Sequence, residues 1–301
     1  MNTYQFAAID IGSNAVRLLI SNVFEDGVNL TFKKQSLVRV PVRLGADAFL
    51  NKHIPAKKEE DFLNTMHAFK SLLKVYRPLN LRAIATSAFR EAANGDEIVS
   101  RVLEETGIRI EIISGKEEAE VVYANGLRDN MDADRSYIYM DVGGGSTELT
   151  LFHNHNVVDS RSFNIGSIRI LMNSVTENEW SEMKLWLKST CENVSDNLAV
   201  IGSGGNINKY CKLLMKEYGE ELKYDEVYHL YKRLKSMSTE ERIQKLFLNP
   251  DRADVIVPAG KIFSNVMKWS ESKVAIVPKI GVSDGVIRML YNQMKLEQSF
   301  Q

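Results

Sequence analysis

Two periods alternate along the chain. Phe6 to Ile11 and Val16 to Val23 are short, mostly apolar runs of the length of buried strands, and Gly12, Ser13 and Asn14 between them are turn formers. Asp26 and Gly27 mark a second turn, after which Leu30 to Val42 reads as another strand. The period then changes. Lys57 to Tyr76 carries Phe62, Met66, Phe69, Leu73 and Tyr76 at helical spacing, and Pro78 stops that helix. Leu81 to Ala85 predicts a short strand. Asp96 to Thr106 predicts a helix closed by Gly107 as a left-handed cap. Ile108 to Ile113 predicts a strand, and Glu117 to Leu127 a helix.

After the polar stretch Arg128 to Arg135 the pattern restarts. Tyr137 to Val142 predicts a strand, Gly143 to Gly145 a turn, and Glu148 to Phe152 a return strand. Most of the C-terminal portion is helical. Ser238 to Glu241 fits a capping box, Asn249-Pro250 breaks a helix, Lys273 to Ile280 is a last strand and Gly285 to Lys295 a last helix. The restart is a weak internal repeat. Ile9-Asp10-Ile11-Gly12-Ser13 answers Met140-Asp141-Val142-Gly143-Gly144, and Ala83 to Ser87 answers Ala199 to Ser203. The Ser283-Asp284-Gly285 junction answers Glu117-Glu118-Ala119. The repeat predicts two similar α/β domains, 1–128 and 129–301, with the last helix free to pack back on the first domain. Two such domains would leave a cleft, a preferred place for a ligand.

Composition narrows the choice of ligand. The chain has 301 residues, 44% of them apolar and 26% charged, enough for two cores. With 38 basic and 39 acidic residues the net charge is −1, which argues against nucleic acid as a partner. If the ligand is a polyanion, a few placed groups must hold it. No apolar run approaches the ~20 residues that cross a bilayer, so a membrane partner is not expected. The start of the chain lacks the pattern of a signal peptide. Two separated cysteines, Cys191 and Cys211, form neither a zinc pattern nor a disulfide framework and point to a reducing cytoplasm. His153 and His155 in FHNHNVV fit a β-turn with Asn at its tip better than a metal pair.

Five segments carry candidate chemistry. In DIGSN, Gly12 lets the backbone approach a ligand, Ser13 and Asn14 offer side-chain donors, and Arg17 adds a charge if the return strand points it inward. Asp10 repels phosphate, so its place beside such a turn makes sense if a cation lies between them. In DVGGGSTE, three consecutive glycines cost backbone entropy and imply something pressing on the backbone. Gly144, Gly145, Ser146 and Thr147 are candidate phosphate ligands, and Asp141 and Glu148 bracket them as acidic groups suited to Mg²⁺. GSGGN, Gly202 to Asn206, stands before a helix, where free N–H groups attract anions. In TSAFREA, Ser87 and Arg90 follow a strand in the same way, and Arg90 offers a bidentate fork. In SGKEEAE, Glu117 and Glu118 open a helix, which stabilises it without any function; one of them could also orient or deprotonate a water.

Together, IDIGSN, TSAFREA, ISGKEEAE, MDVGGGSTEL, GSGGN and RADVIVPAG stand in the order found in the Ppx/GppA family of exopolyphosphatases and guanosine pentaphosphate phosphohydrolases, and the resemblance runs from about Ala8 to Arg288. It implies two ribonuclease-H-like domains of the actin, Hsp70 and sugar-kinase superfamily around a central cleft. It implies Glu118 as catalytic base, and Asp141 and Glu148, with Asp10, as acidic groups serving Mg²⁺ or another divalent cation. Ser13, Asn14, Arg90, Gly144, Gly145, Ser146 and Thr147 become the phosphate shell, and Arg252 structural or peripheral. Ala15 departs from the Ser of many relatives. Longer relatives continue into a helical HD-type domain, so processivity on very long chains is not expected here. The implied partners are inorganic polyphosphate or guanosine pentaphosphate, and the implied assembly is a cytoplasmic homodimer. The rival readings are a kinase of the same superfamily and a non-catalytic ATP-binding module.

Overall fold

The computed structural model describes residues 1–123, 131–132, 135–192, 194, 197–278 and 281–299. The 128/129 boundary, the end of the helix expected to reach Leu127, and Ile280 lie outside the described residues. By its contacts the chain divides into two compact units, Met1–Asn125 together with Gly281–Gln301, and Gly126–Ile280.

The first unit begins with a meander, β1 (Asn2–Ile11), β2 (Val16–Asp26) and β3 (Asn29–Val40). Helices α1 (Gly45–Asn51) and α2 (Ala56–Tyr76) lead to β4 (Asn80–Ala85). Helices α3 (Ser87–Glu91) and α4 (Gly95–Thr106) lead to β5 (Ile110–Ile112), followed by α5 (Gly115–Tyr123). Helix α4 ends as expected: Gly107 has φ +76° and its N–H donates to Leu103 O. The sheet order is β3-β2-β1-β4-β5, the first three antiparallel and β1, β4 and β5 parallel.

The second unit repeats the plan with β6 (Ser136–Val142), β7 (Thr147–His153) and β8 (Asn156–Phe163). Helices α6 (Ser167–Leu171) and α7 (Glu177–Cys191) precede β9 (Leu198–Ser203). Then come α8 (Gly205–Leu213), β10 (Glu221–Lys223), α9 (Tyr224–Ser236), α10 (Thr239–Leu246), α11 (Pro250–Ala253), α12 (Ile256–Trp269) and β11 (Val274–Ile276). The Ser238–Glu241 capping box is formed in both directions. The turn at Asn154 and His155 is left-handed at both residues, as a two-residue hairpin requires. The sheet order β8-β7-β6-β9-β11 matches the first unit strand for strand, with β10 added antiparallel at the edge. Both units are therefore ribonuclease-H-like. The last helix, α13 (Val282–Ser299), belongs to the first unit.

Each unit buries its own core. In the first, Phe6, Ala8, Leu19, Val23 and Ile84 of the sheet meet Val121 of α5 and Val286, Ile287, Leu290 and Tyr291 of α13. In the second, Ile138, Met140, Leu149, Leu151 and Val200 meet Met183, Leu187, Ile262, Phe263 and Val266. Each such side chain contributes about 1.5–3 kcal/mol by leaving water. These cores hold the loops between β1 and β2, and between β6 and β7, at the ends of their strands.

Candidate active site

The loop between β6 and β7 has all four of its carbonyls engaged. Gly143 N donates to Ser146 O at 2.9 Å, closing the turn. Gly143 O accepts from Ser167 N at 3.0 Å and from Ser167 Oγ at 3.2 Å. Gly144 O accepts from Ile168 N at 2.8 Å and Arg169 N at 3.2 Å, and Gly145 O from Arg169 Nε at 2.6 Å. Among the described residues, no partner takes the N–H groups of Gly144, Gly145 and Ser146. Three consecutive amides with no partner among the described residues, in a loop whose carbonyls bond to α6 or close the turn, are what an anion-binding nest requires.

None of Gly143, Gly144 and Gly145 has a positive φ. The close packing of the loop on α6 demands glycine at position 166: a Cβ on Gly166 would sit 2.2 Å from Gly144 O and 2.5 Å from Gly145 C. Sequence reasoning missed Gly166, Ser167 and Arg169. The available signal was a second Gly-Ser pair directly after a strand, in Asn164-Ile165-Gly166-Ser167.

Beside the loop lies a row of oxygen-bearing side chains, one from each of four neighbouring strands. Ser203 pairs in register with Asp141, Asp141 with Glu148, and Glu148 with Ser162. Register partners share a face of the sheet with Cβ atoms about 4.5–5.5 Å apart. Ser162 Oγ donates to Glu148 Oε1 at 2.9 Å. The Ser203 hydroxyl is buried with no partner among the described residues. Two buried carboxylates directly opposite each other repel unless a cation stands by. The row supplies hard oxygen donors only, which fits a divalent ion that keeps part of its water. Among the described residues no group of three or more His, Cys, Asp or Glu could hold a metal. Any ion here would take two carboxylates, with water and substrate oxygens completing its shell.

The first unit has the same hairpin with the opposite charge. Gly12 N donates to Ala15 O at 3.2 Å, as Gly143 does to Ser146, and Asp10 pairs with Arg17 as Asp141 does with Glu148. Arg17 Nη1 donates to Asp10 Oδ2 at 2.8 Å. The chain itself thus supplies one cation beside Asp10, on Oδ2. Asp10 as a ligand of a divalent ion remains a proposal. Ser13 Oγ lies 2.9 Å from Ser87 Oγ, so the first turn is tied to the start of α3, and Asn14 O accepts from Arg43 N at 3.2 Å.

Helix α5 separates its two glutamates. Glu117 is exposed and caps its own helix: Ser114 N donates to Glu117 Oε2 at 2.7 Å, and Glu117 N donates to Ser114 Oγ at 3.2 Å. The bond from the Ser114 backbone holds the Glu117 carboxyl below its ordinary range. Glu118 points elsewhere, since consecutive helical residues lie about 100° apart. Its side chain is 12% exposed, and Arg90 Nη1 lies 3.4 Å from its Oε2 while also donating to Ile113 O at 2.7 Å. Arg90 is thus fixed at the strand end and holds the Glu118 carboxylate in place.

Two further residues singled out in the sequence make definite contacts. Thr147 is fully buried and its hydroxyl donates to Ile165 O at 2.5 Å, so that proton is not offered to a phosphate. His153 Nδ1 lies 2.8 Å from Ser136 Oγ on the neighbouring strand β6, and His155 sits in the turn expected for it. At the third glycine motif, Gly204 caps α8 with φ +101°, and a Cβ there would come 3.1 Å from Asp141 Oδ1. Arg252 Nη1 donates to Gly205 O and so anchors this turn to α11.

The fold is thus a duplicated ribonuclease-H-like α/β unit with one glycine-turn hairpin in each copy. The model of the Ppx/GppA phosphatase family matches residues 26–294, and the chain belongs to that family. It is 30% identical over 295 residues to a bifunctional 3-dehydroquinate synthase/phosphatase of Fusobacterium nucleatum, covering 89% of this chain and 44% of that protein. It is 28% identical over 206 residues to a guanosine-5'-triphosphate,3'-diphosphate pyrophosphatase of Aeromonas salmonicida, covering 67% and 40%. The chain thus spans less than half the length of these two curated relatives. Its fold matches the crystal structure of an exopolyphosphatase from Cytophaga hutchinsonii with a TM-score of 0.81 at 23% identity, over 96% of this chain and 98% of that one.

Proposed function

We propose that the chain hydrolyses the terminal phosphoanhydride bond of inorganic polyphosphate and releases orthophosphate. The observation that carries this reading is the set of unpartnered amides at Gly144, Gly145 and Ser146, in a loop whose carbonyls are all taken up elsewhere. Such a nest binds the oxygens of a phosphoryl group. In the first unit, Ser13, Asn14 and Arg90 are the proposed phosphate donors. Asp141 and Glu148 would hold Mg²⁺ or another divalent cation. When bound, the cation would supply positive charge against the phosphate oxygens.

Phosphoryl transfer passes through a loose transition state, so the protein mainly positions groups and balances charge. Glu118 orients the attacking water and accepts its proton. Arg90 holds that carboxylate in one orientation. The bond that breaks joins the terminal phosphorus to the bridging oxygen, and the shortened chain leaves as an anion. A guanosine pentaphosphate presents the same terminal anhydride. The name of the Aeromonas relative supports it as a second substrate.

The test is a pair of substitutions. Glu118→Gln keeps size and hydrogen bonding but cannot accept a proton, and turnover should fall by at least ~10². Glu117→Gln removes the same charge from the same helix start, weakens only the cap, and should leave turnover within a few-fold. Equal turnover in Glu118→Gln and the wild type would sink the assignment of the base.

A further inference from the structure

Helix α13 meets α5 through a glycine. Gly285 is the fourth residue of α13, and an added Cβ there would sit 1.9 Å from Val121 O, 2.8 Å from Val121 C and 3.1 Å from Val121 Cγ1. The two nearest of these atoms are backbone, so no side-chain rotation clears the space. The Gly285 hydrogen that stands in the direction of that Cβ points at the Val121 carbonyl, as in the weak Cα–H···O contacts between packed helices. Gly285 has no positive φ, so the backbone conformation does not call for glycine. Alanine is the better helix former, and it is the close approach of α5 that excludes it.

The helix met in this way carries Glu118. Glu118 lies three residues before Val121, so the two stand on one side of α5. The two helices are held unequally. Val286, Ile287, Leu290 and Met294 bury one face of α13 in the core of the first unit. Beside the crossing, Asp284 Oδ2 accepts from Lys34 Nζ at 2.8 Å and from Gly281 N at 2.9 Å. Near its far end, Glu25 Oε1 accepts from Tyr291 Oη at 2.9 Å and lies 2.8 Å from Lys295 Nζ. Helix α5 has nine residues, and among its described side chains only Val121 is buried in that core. When the two are pushed apart, α5 is the one that yields. Arg90 does not follow it, because its Nη1 is bonded to Ile113 O at the strand end. The 3.4 Å contact from Arg90 Nη1 to Glu118 Oε2 is already at the outer limit of a hydrogen bond, so a small lift of α5 breaks it.

We propose that Gly285 is a positioning residue for Glu118: the bare Cα on α13 sets the height at which α5 rests, and so the place of the Glu118 carboxylate beside Arg90. The catalytic consequence rests on the proposed role of Glu118 as base. The packing consequence does not, and it is measured without turnover.

The experiment compares wild type, Gly285→Ala, Met294→Ala, Glu118→Gln and the double variant of Gly285→Ala with Glu118→Gln, each as the full chain, with short polyphosphate and Mg²⁺. Gly285→Ala should lower kcat by at least about 10-fold with KM within about 2-fold, because a small displacement of a reacting group costs rate steeply. Amide exchange in residues 115–121 should become faster in the same variant. Met294→Ala empties part of the same core about 13 Å further along α13, by the rise of 1.5 Å per residue. It should lower the thermal midpoint at least as much, yet leave kcat within about 2-fold and α5 exchange unchanged. The losses of Gly285→Ala and Glu118→Gln should not multiply, since the first acts through the second. Should Gly285→Ala fail to fold, Val121→Ala loosens the same contact from the other side and should lower kcat at constant KM. Wild-type kcat and exchange in Gly285→Ala would overturn the proposal, as would equal kcat losses in Gly285→Ala and Met294→Ala, or multiplying losses in the double variant. If Glu118→Gln turns over like the wild type while Gly285→Ala still speeds exchange in α5, the positioning of α5 stands and the assignment of the base fails.

Discussion

Of the two buried hydroxyls at the end of the glycine loop, the Thr147 hydroxyl has a structural partner. Ser146 and Thr147 are neighbours and both buried, but the Thr147 proton goes to Ile165 O. Replacing Thr147 with Val keeps the shape and leaves that carbonyl without its donor. Stability should fall by about 1–3 kcal/mol in denaturant titration, while KM for polyphosphate stays unchanged. A higher KM with unaltered stability would place Thr147 among the phosphate ligands instead. At this scale the sequence was readable where the backbone dictates the residue. Glycines in turns, and acids next to them, stand out without any knowledge of the fold. The partner of Asp10 did not stand out, because pairing Asp10 with Arg17 is a matter of cross-strand register, which only the closed hairpin sets.

At the scale of elements, the long strands and helices follow their periods closely. Helix α2 runs Ala56–Tyr76 where Lys57 to Tyr76 is expected, and β3 runs Asn29–Val40 where Leu30 to Val42 is expected. Short elements were missed, and they matter most for the site. Helices α3 and α6 have five residues each, too few to show a period, yet α3 carries Arg90 and α6 holds the glycine loop by its carbonyls. The second role predicts the outcome of Gly166→Ala. The added methyl meets the backbone of Gly144 and Gly145, which cannot rotate away as a side chain would. The loop must shift, and a displacement near 1 Å should cost on the order of 10²-fold in kcat/KM. Overpacking should also lower stability by about 1–3 kcal/mol. Wild-type kcat/KM in Gly166→Ala would show that the contact between α6 and the loop does not position the amides.

For the whole molecule, the internal repeat is real but its sequence alignment was shifted. Register places Ala83 opposite Ile9 and Gly202 opposite Met140. Gly202 is therefore the counterpart of Ala83. Sequence similarity between the halves is too slight to set that offset, whereas the hydrogen-bonded ladder sets it residue by residue. The duplication also explains how one fold can serve two charges. The same row of register partners holds Asp10, Arg17 and Arg39 in one unit and Asp141, Glu148 and Ser162 in the other. The first row carries two cations to one acid, and the second carries two acids and no cation. The most direct measurement is orthophosphate release by the wild-type chain from short polyphosphate, long polyphosphate, guanosine pentaphosphate and ATP, each with Mg²⁺ and again with excess chelator. The account predicts steady release from polyphosphate with Mg²⁺, slower release from ATP, and near-complete loss in chelator. Release from none of the four, or release from polyphosphate undiminished by chelator, would contradict it.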